Sequence, residues 1–185
     1  PHVPLWFGGV SEAAKPIGAK HCGTYALFGE SLGLVSDLMR ELDGLAAGHN
    51  RSLRYNLSFR PIIADTEDAA WKKARQILHN VETTTKRSTK APEAETAKRL
   101  SRLIEEGEVH DERLWVPIAA AAQGTGNSTA LVGTPEQVAE AIAKYYDLGV
   151  AGVLIRGFDP FNDAVEFGKE LIPWIRDKIR QRDEG

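Results

Sequence analysis

The sequence predicts an α/β fold: four parallel strand–helix units, which make either half of a (β/α)₈ barrel or a small doubly wound sheet, interrupted after the third strand by a helical or disordered insertion. Three observations predict it. Apolar, β-rich runs alternate with helical stripes along the chain, the pattern of a parallel sheet with helical crossovers. Four such units fit into 185 residues as one partial domain, 1–185, whereas a whole barrel needs about 250. The third run, RYNLSFRPII (54–63), sets Tyr55, Leu57 and Phe59 against Asn56, Ser58 and Arg60. A central strand of a sheet covered by helices on both faces reads apolar on both sides. The polar side here therefore faces a solvated or ligand-filled interior, or else the strand lies at an edge with one wet face.

The elements follow in order. VPLWFGG (3–9) reads as a buried strand broken by two glycines, and SEAAKPIGAKH as a short helix with Ser11 as its N-cap and Pro16 inside it. GTYALFGE (23–30) is a second strand, after which Glu30 reads as a surface carboxylate. Leu32, Val35, Leu38, Met39, Leu42 and Leu45 then form a helical stripe closed by Gly48. The third strand is followed by DTEDAAWKKARQILHNV, with an Asp/Thr cap and an acidic first turn.

Residues 82–128 are too long for an ordinary connection and hold a polar Thr/Lys/Ser run, a charged helix (93–106) and a Gly/Asn/Ser loop, which suits either a lid or a disordered, solvent-exposed excursion. LWVPIAAAA (114–122) fits either strand or helix, its alanines favouring helix. TPEQVAEAIAKYYDLG carries Thr134, Pro135 and Gln137 in the order of a capping box. GVAGVLIRGF (149–158) is the last strand, and DAVEFGKELIPWIRDKIRQR a helix broken at Pro173.

Composition narrows the function. A formal net charge of −3 gives no basic excess for nucleic acid or a membrane surface. Cys22 is the only cysteine, so neither an intrachain disulfide nor a cysteine-built metal site is available, and the five histidines lack metal-ligand spacing. No apolar run reaches the roughly 18 to 20 residues of a spanning helix. The expectation is a cytoplasmic protein with no metal. FGGVSEAA suits an anion, because glycines admit close backbone approach and a helix N-terminus presents free amides, although simple capping by Ser11 explains the serine equally well.

PLWFGGVSEAA, YALFGES, RYNLSFRPIIADTEDAAWKKA, STALVGTPEQVAEAIAKYYDLGV and LIRGFDPFNDAVEFGKELIP occur in an order and spacing that resemble the bacterial-luciferase-like flavin monooxygenases, in particular the alkanesulfonate monooxygenase group. The resemblance covers the C-terminal half of that family's barrel. It implies a monooxygenase that receives reduced FMN from a separate NAD(P)H:flavin reductase and uses O2 on a small organosulfur substrate. It implies flavin phosphate at Gly8, Gly9 and Ser11, and isoalloxazine contact or plain core packing at Phe158. Ser58 and Arg60 stand where the sulfonate-using members carry Arg and His, and Phe158 where they carry Tyr. Arg60 and Arg156 supply cations in place of those groups, so Ser58, Arg60 and Arg156 are the candidate catalytic residues. The family loop that closes over flavin matches AQGTGNS here, without its arginine.

Two other readings keep the fold: an oxidoreductase using deazaflavin F420, and a non-catalytic half-barrel that binds a partner. In each, two unpaired strand edges call for the rest of a barrel or another chain, making an oligomer the expected state.

Overall fold

The computed structural model describes residues 3–84, 95–122 and 129–185. Residues 85–94, which hold most of the polar Thr/Lys/Ser run, and residues 123–128 of the Gly/Asn/Ser loop lie outside the described residues.

The chain runs β1 (Trp6–Phe7), α1 (Ala14–His21), β2 (Thr24–Phe28), α2 (Leu32–Ala47), β3 (Arg54–Ile63), α3 (Glu67–Thr84), α4 (Glu95–Glu106), β4 (Val109–His110), β5 (Leu114–Trp115), α5 (Pro117–Ala121), β6 (Ala130–Gly133), α6 (Pro135–Asp147), β7 (Val150–Ile155), α7 (Pro160–Glu166), a π-helical turn (Phe167–Leu171) and α8 (Ile172–Glu184). The parallel strands β1, β2, β3 and β7 form a curled half-barrel, with β1 paired to β2, β2 to β3 and β3 to β7.

The length of β3 organises this sheet. Its even-numbered residues turn their peptide groups toward β2: the Ser58 carbonyl accepts from the Gly29 amide at 3.0 Å. Where β2 ends, β6 continues the same edge, with the Arg60 amide donating to the Thr129 carbonyl at 3.0 Å. The odd-numbered residues turn toward β7, just beyond whose end the Arg156 amide donates to the Phe59 carbonyl at 3.1 Å. Beyond β6 the short strands β5 and β4 add antiparallel pairs, so the sheet is mixed.

Side-chain alternation on β3 divides helix layer from interior as the sequence pattern requires. Tyr55, Leu57 and Phe59 are buried in the main core. The Tyr55 hydroxyl bonds the Met39 carbonyl at 3.1 Å and the Asp43 carboxylate at 2.6 Å on α2, and the Phe59 ring lies 4.9 Å from that of Tyr145 on α6. Asn56, Ser58 and Arg60 occupy the opposite face, in register with Ala26 and Phe28 of β2 and with Gly152 and Leu154 of β7. Farther along β3 this face is covered too: Ile62 joins Ala70, Ala74, Trp115 and Ile118 in a second core beneath α3 and α5.

Several sequence expectations are corrected. The first strand is two residues long and largely exposed, because nothing in the described chain covers its outer side. Ser11 is not the side-chain cap of α1; the helix starts at Ala14, and the Ser11 carbonyl takes the Ala14 and Lys15 amides. Glu30 is buried, not on the surface. LWVPIAAAA divides into β5 and α5, with Pro117 opening the helix. The capping box on α6 forms as expected: Thr134 Oγ1 accepts from the Gln137 amide, and Gln137 Oε1 from the Thr134 amide.

The described part of the long insertion is bound into the fold. Leu100 and Leu103 of α4, and Leu114 and Val116 after it, are buried in the main core. Arg99 chelates Glu30, its Nε 2.9 and 3.2 Å from the two carboxylate oxygens. Asp111, in a turn where Asp111 and Glu112 both have positive φ, accepts from the Leu32 amide at 2.6 Å and so caps α2 from a distance. No described helix is long and apolar enough to cross a membrane.

Candidate functional site

Parallel strands place their C-terminal ends on one rim, where βα loops gather side chains in barrels. At this rim Arg60, Arg156 and Phe158 line a cleft of about 580 Å³ that is completed by the Ala164, Phe167 and Ile172 side chains. The Arg60 guanidinium donates to the Gly157 carbonyl at 2.5 Å and stacks over the Phe158 ring, 5.0 Å from its centroid. Burial and the neighbouring Arg156 charge lower the Arg60 pKa, with Asp163 opposing them. An arginine remains cationic under these conditions, and a half-buried cation facing a second cation favours an anion between them.

The loop after β7 is shaped by Asp163. Its Oδ2 accepts from the Phe158 amide at 2.6 Å and the Asp159 amide at 2.9 Å, while Asp159 caps α7 through the Asn162 amide. A Cβ on Gly157 would lie 2.2 Å from that of Asp163, so glycine is what lets the carboxylate reach over the loop. The Pro173 ring lacks an amide, and the turn before it widens into the π-helix that brings Phe167 and Ile172 to the cleft wall.

The structure brings Arg60, Arg156 and Phe158 together. Ser58 lies two residues before Arg60 on the same face, buried, and does not line the cleft. Gly8, Gly9 and Ser11 occupy the loop after β1, at the other end of the four-strand arc. There the glycines serve close packing: a Cβ on Gly8 would stand 3.3 Å from the Ala26 carbonyl oxygen, and one on Gly9 3.0 Å from the Ala14 Cβ. The Tyr25 hydroxyl, its pKa pushed up to about 12 by burial, donates to the Gly9 carbonyl and holds the loop from beneath. Lys15 anchors the start of α1, its ammonium 2.6 Å from Glu12 and 2.5 Å from Glu41. Ser11 is exposed and no side chain caps α1, whose opening amides at Ala14 and Lys15 are bonded to the Ser11 carbonyl.

Residues that the sequence reading passed over tie the rim together. Glu67, at the start of α3, accepts from Arg113 at 2.5 and 3.3 Å, from Gln137 at 2.8 Å and from the Trp71 indole at 3.4 Å. These bonds, that from Arg113 foremost, lower its pKa to about 2. The acidic first turn announced a helix cap, but nothing local in the sequence announced partners 46 and 70 residues away.

The family model for luciferase-like monooxygenases matches residues 1–152. Among solved structures, the chain is similar to a riboflavin lyase determined with modified FMN and riboflavin, at a TM-score of 0.71 and 19% identity over 94% of this chain and 43% of that one. It is also similar to the EDTA monooxygenase of Chelativorans sp. BNC1, at a TM-score of 0.61 and 18% identity over 92% and 45% of the two chains. An F420-dependent secondary alcohol dehydrogenase matches at a TM-score of 0.57 and 11% identity, over 95% and 49%. At these identities the structures speak for the fold alone, and the chain spans less than half the length of each. With the family model covering most of its residues, the chain belongs to the luciferase-like monooxygenase family.

Proposed function

We propose that this chain supplies half of the barrel of a cytoplasmic monooxygenase that takes reduced FMN from a separate NAD(P)H:flavin reductase and uses O2 to oxygenate a small organosulfur anion of the alkanesulfonate type. The observation that carries the reading is the cleft in which Arg60, Arg156 and Phe158 meet. Reduced flavin, when bound, supplies the electrons for activating oxygen. Arg60 and Arg156 hold the anionic head of the substrate by charge-assisted bonds, and the Phe158 ring offers an apolar face beside them. Arg60 orients and stabilises charge but hands on no proton, because a guanidinium keeps its protons in a folded protein. Ser58 presents a hydroxyl on the same interior face, and Gly8, Gly9 and Ser11 hold the flavin phosphate across the rim.

The test is calorimetric binding of a short alkanesulfonate in the presence of reduced FMN. Arg60→Met and Arg156→Met are each expected to weaken binding by about 10- to 100-fold, the loss of one charged hydrogen-bonding partner. Unchanged affinity in both variants would remove the substrate assignment. A second reading, F420-dependent hydride transfer, is favoured by the likeness in fold to the secondary alcohol dehydrogenase. Product formed in the strict absence of O2 would select it over the oxygenase.

A further inference from the structure

The peptide group between Gly157 and Phe158 is gripped from both sides. Its carbonyl accepts from the Arg60 guanidinium at 2.5 Å, and its amide donates to Asp163 Oδ2 at 2.6 Å. A cation and a carboxylate thus stand one peptide unit apart, each bonded to the end of the peptide dipole that its charge favours. The same carboxylate oxygen takes the Asp159 amide at 2.9 Å, which fixes its place at the loop. Asp163 is half-buried and does not itself line the cleft, yet its charge is felt at Arg60, whose pKa it raises against burial and Arg156.

Other carboxylates near this loop have partners elsewhere. Glu166 on α7 meets Lys73 of α3 at 3.0 Å. Asp159 is exposed and bonded to Asn162 through both of its oxygens, so water screens its charge. Among the described residues, the charges set at the cleft are therefore those of Arg60, Arg156 and Asp163.

We propose that Asp163 sets the charge class of the bound anion: against Arg60 and Arg156 it leaves one net positive charge, which selects a singly charged head over a doubly charged one. Coulomb energy scales with the product of the charges, so a carboxylate beside the site repels a doubly charged head twice as strongly as a singly charged one. That repulsion is the selective element. Stripping water from a second negative charge also costs more than one remaining positive charge returns. A sulfonate carries a single charge, whereas a phosphate monoester carries close to two. Asp163 is then a specificity-determining residue that acts through its charge, without touching the anion. This role deepens the reading of Arg60 and Arg156 as the anion-holding pair and rests on it.

The test is calorimetric titration of the 185-residue chain, without flavin, with a short alkylsulfonate and with the alkyl phosphate of the same chain length. The wild type is expected to bind the sulfonate more tightly. Asp163→Asn keeps an acceptor for the two amides and removes the charge. It should shift the ratio of the two dissociation constants toward the phosphate by about 3- to 10-fold, the effect of one nearby charge in a partly aqueous site. Adding Arg156→Gln to that variant restores the charge count and should bring the ratio back toward the wild type, which a merely loosened loop would not do. Asp163→Ser, neutral with a shorter acceptor, makes the same measurement should the Asn variant fold poorly. If neither anion binds, or if Arg60→Met and Arg156→Met leave sulfonate binding unchanged, the anion-holding pair falls and this inference with it. If those two variants weaken binding while the neutral Asp163 variants leave the ratio unchanged, the pair stands and Asp163 is only a scaffold for the loop. A wild type that prefers the phosphate would also overturn the inference.

Discussion

Thr129 directly precedes β6, its backbone carbonyl bonded to the Arg60 amide, yet among the described residues its hydroxyl is the buried side-chain oxygen without a hydrogen-bond partner. A hydroxyl buried without a partner has given up its bond to water for nothing in return. Thr129→Val keeps the shape and removes that polar atom. It is expected to raise stability by about 1 kcal/mol, read as a higher urea midpoint at an unchanged slope. A lower midpoint would show that the hydroxyl is satisfied and holds the strand. Single residues were legible in the sequence where their chemistry was local. Arg60 and Arg156 could be picked out because each stands at the polar end of a recognisable strand pattern. Glu30 could not, since the arginine that permits its burial stands 69 residues away in the chain. Ser11 misled for a related reason: serine before EAA is a good cap sequence, but the Ser11 carbonyl already receives the first amides of the helix.

Among the elements, the long helices and the three longer strands were legible from periodicity. β6 was hidden because its four residues, ALVG, run directly into the capping box that follows them. The strand exists because β3 outruns β2 and offers its remaining edge, a tertiary circumstance that no local pattern records. β4 and β5, two residues each, owe their pairing to β6 in the same way. What locks this added layer to the rest is Glu67, which joins α3 to Arg113 after β4 and to Gln137 on α6. Its folded pKa of about 2 lies below the ordinary carboxylate value of 4.5. The folded state therefore holds the Glu67 proton more weakly than the unfolded chain does. The stabilisation is complete above the unfolded value and is lost as pH falls from about 4.5 toward 2. Glu67→Gln should flatten the acid limb of stability across that window while changing little of its shape above it. If the wild type and the variant lose stability in parallel from pH 5 to pH 2, Glu67 has no depressed pKa and the clamp is not electrostatic.

For the molecule as a whole, β3 is the axis on which everything else is hung. β2 and then β6 bond one of its edges, β7 bonds the other, and its buried side chains reach both cores. The alternation of Asn56, Ser58 and Arg60 foretold an interior face, and that much of the candidate site could be read in advance. Its distance from the Gly8–Ser11 loop could not, because the separation depends on sheet order. Opening β3 means breaking both cores together, whereas β1 is joined on one edge through two residue pairs. Amide exchange should report this directly. In dilute solution the β3 amides are expected to exchange only with global unfolding, and those of Trp6 and Phe7 through local fraying at far higher rates. Equal protection at Trp6 and Leu57 would mean that β1 is held by more than its two pairs with β2 and opens only with the whole fold.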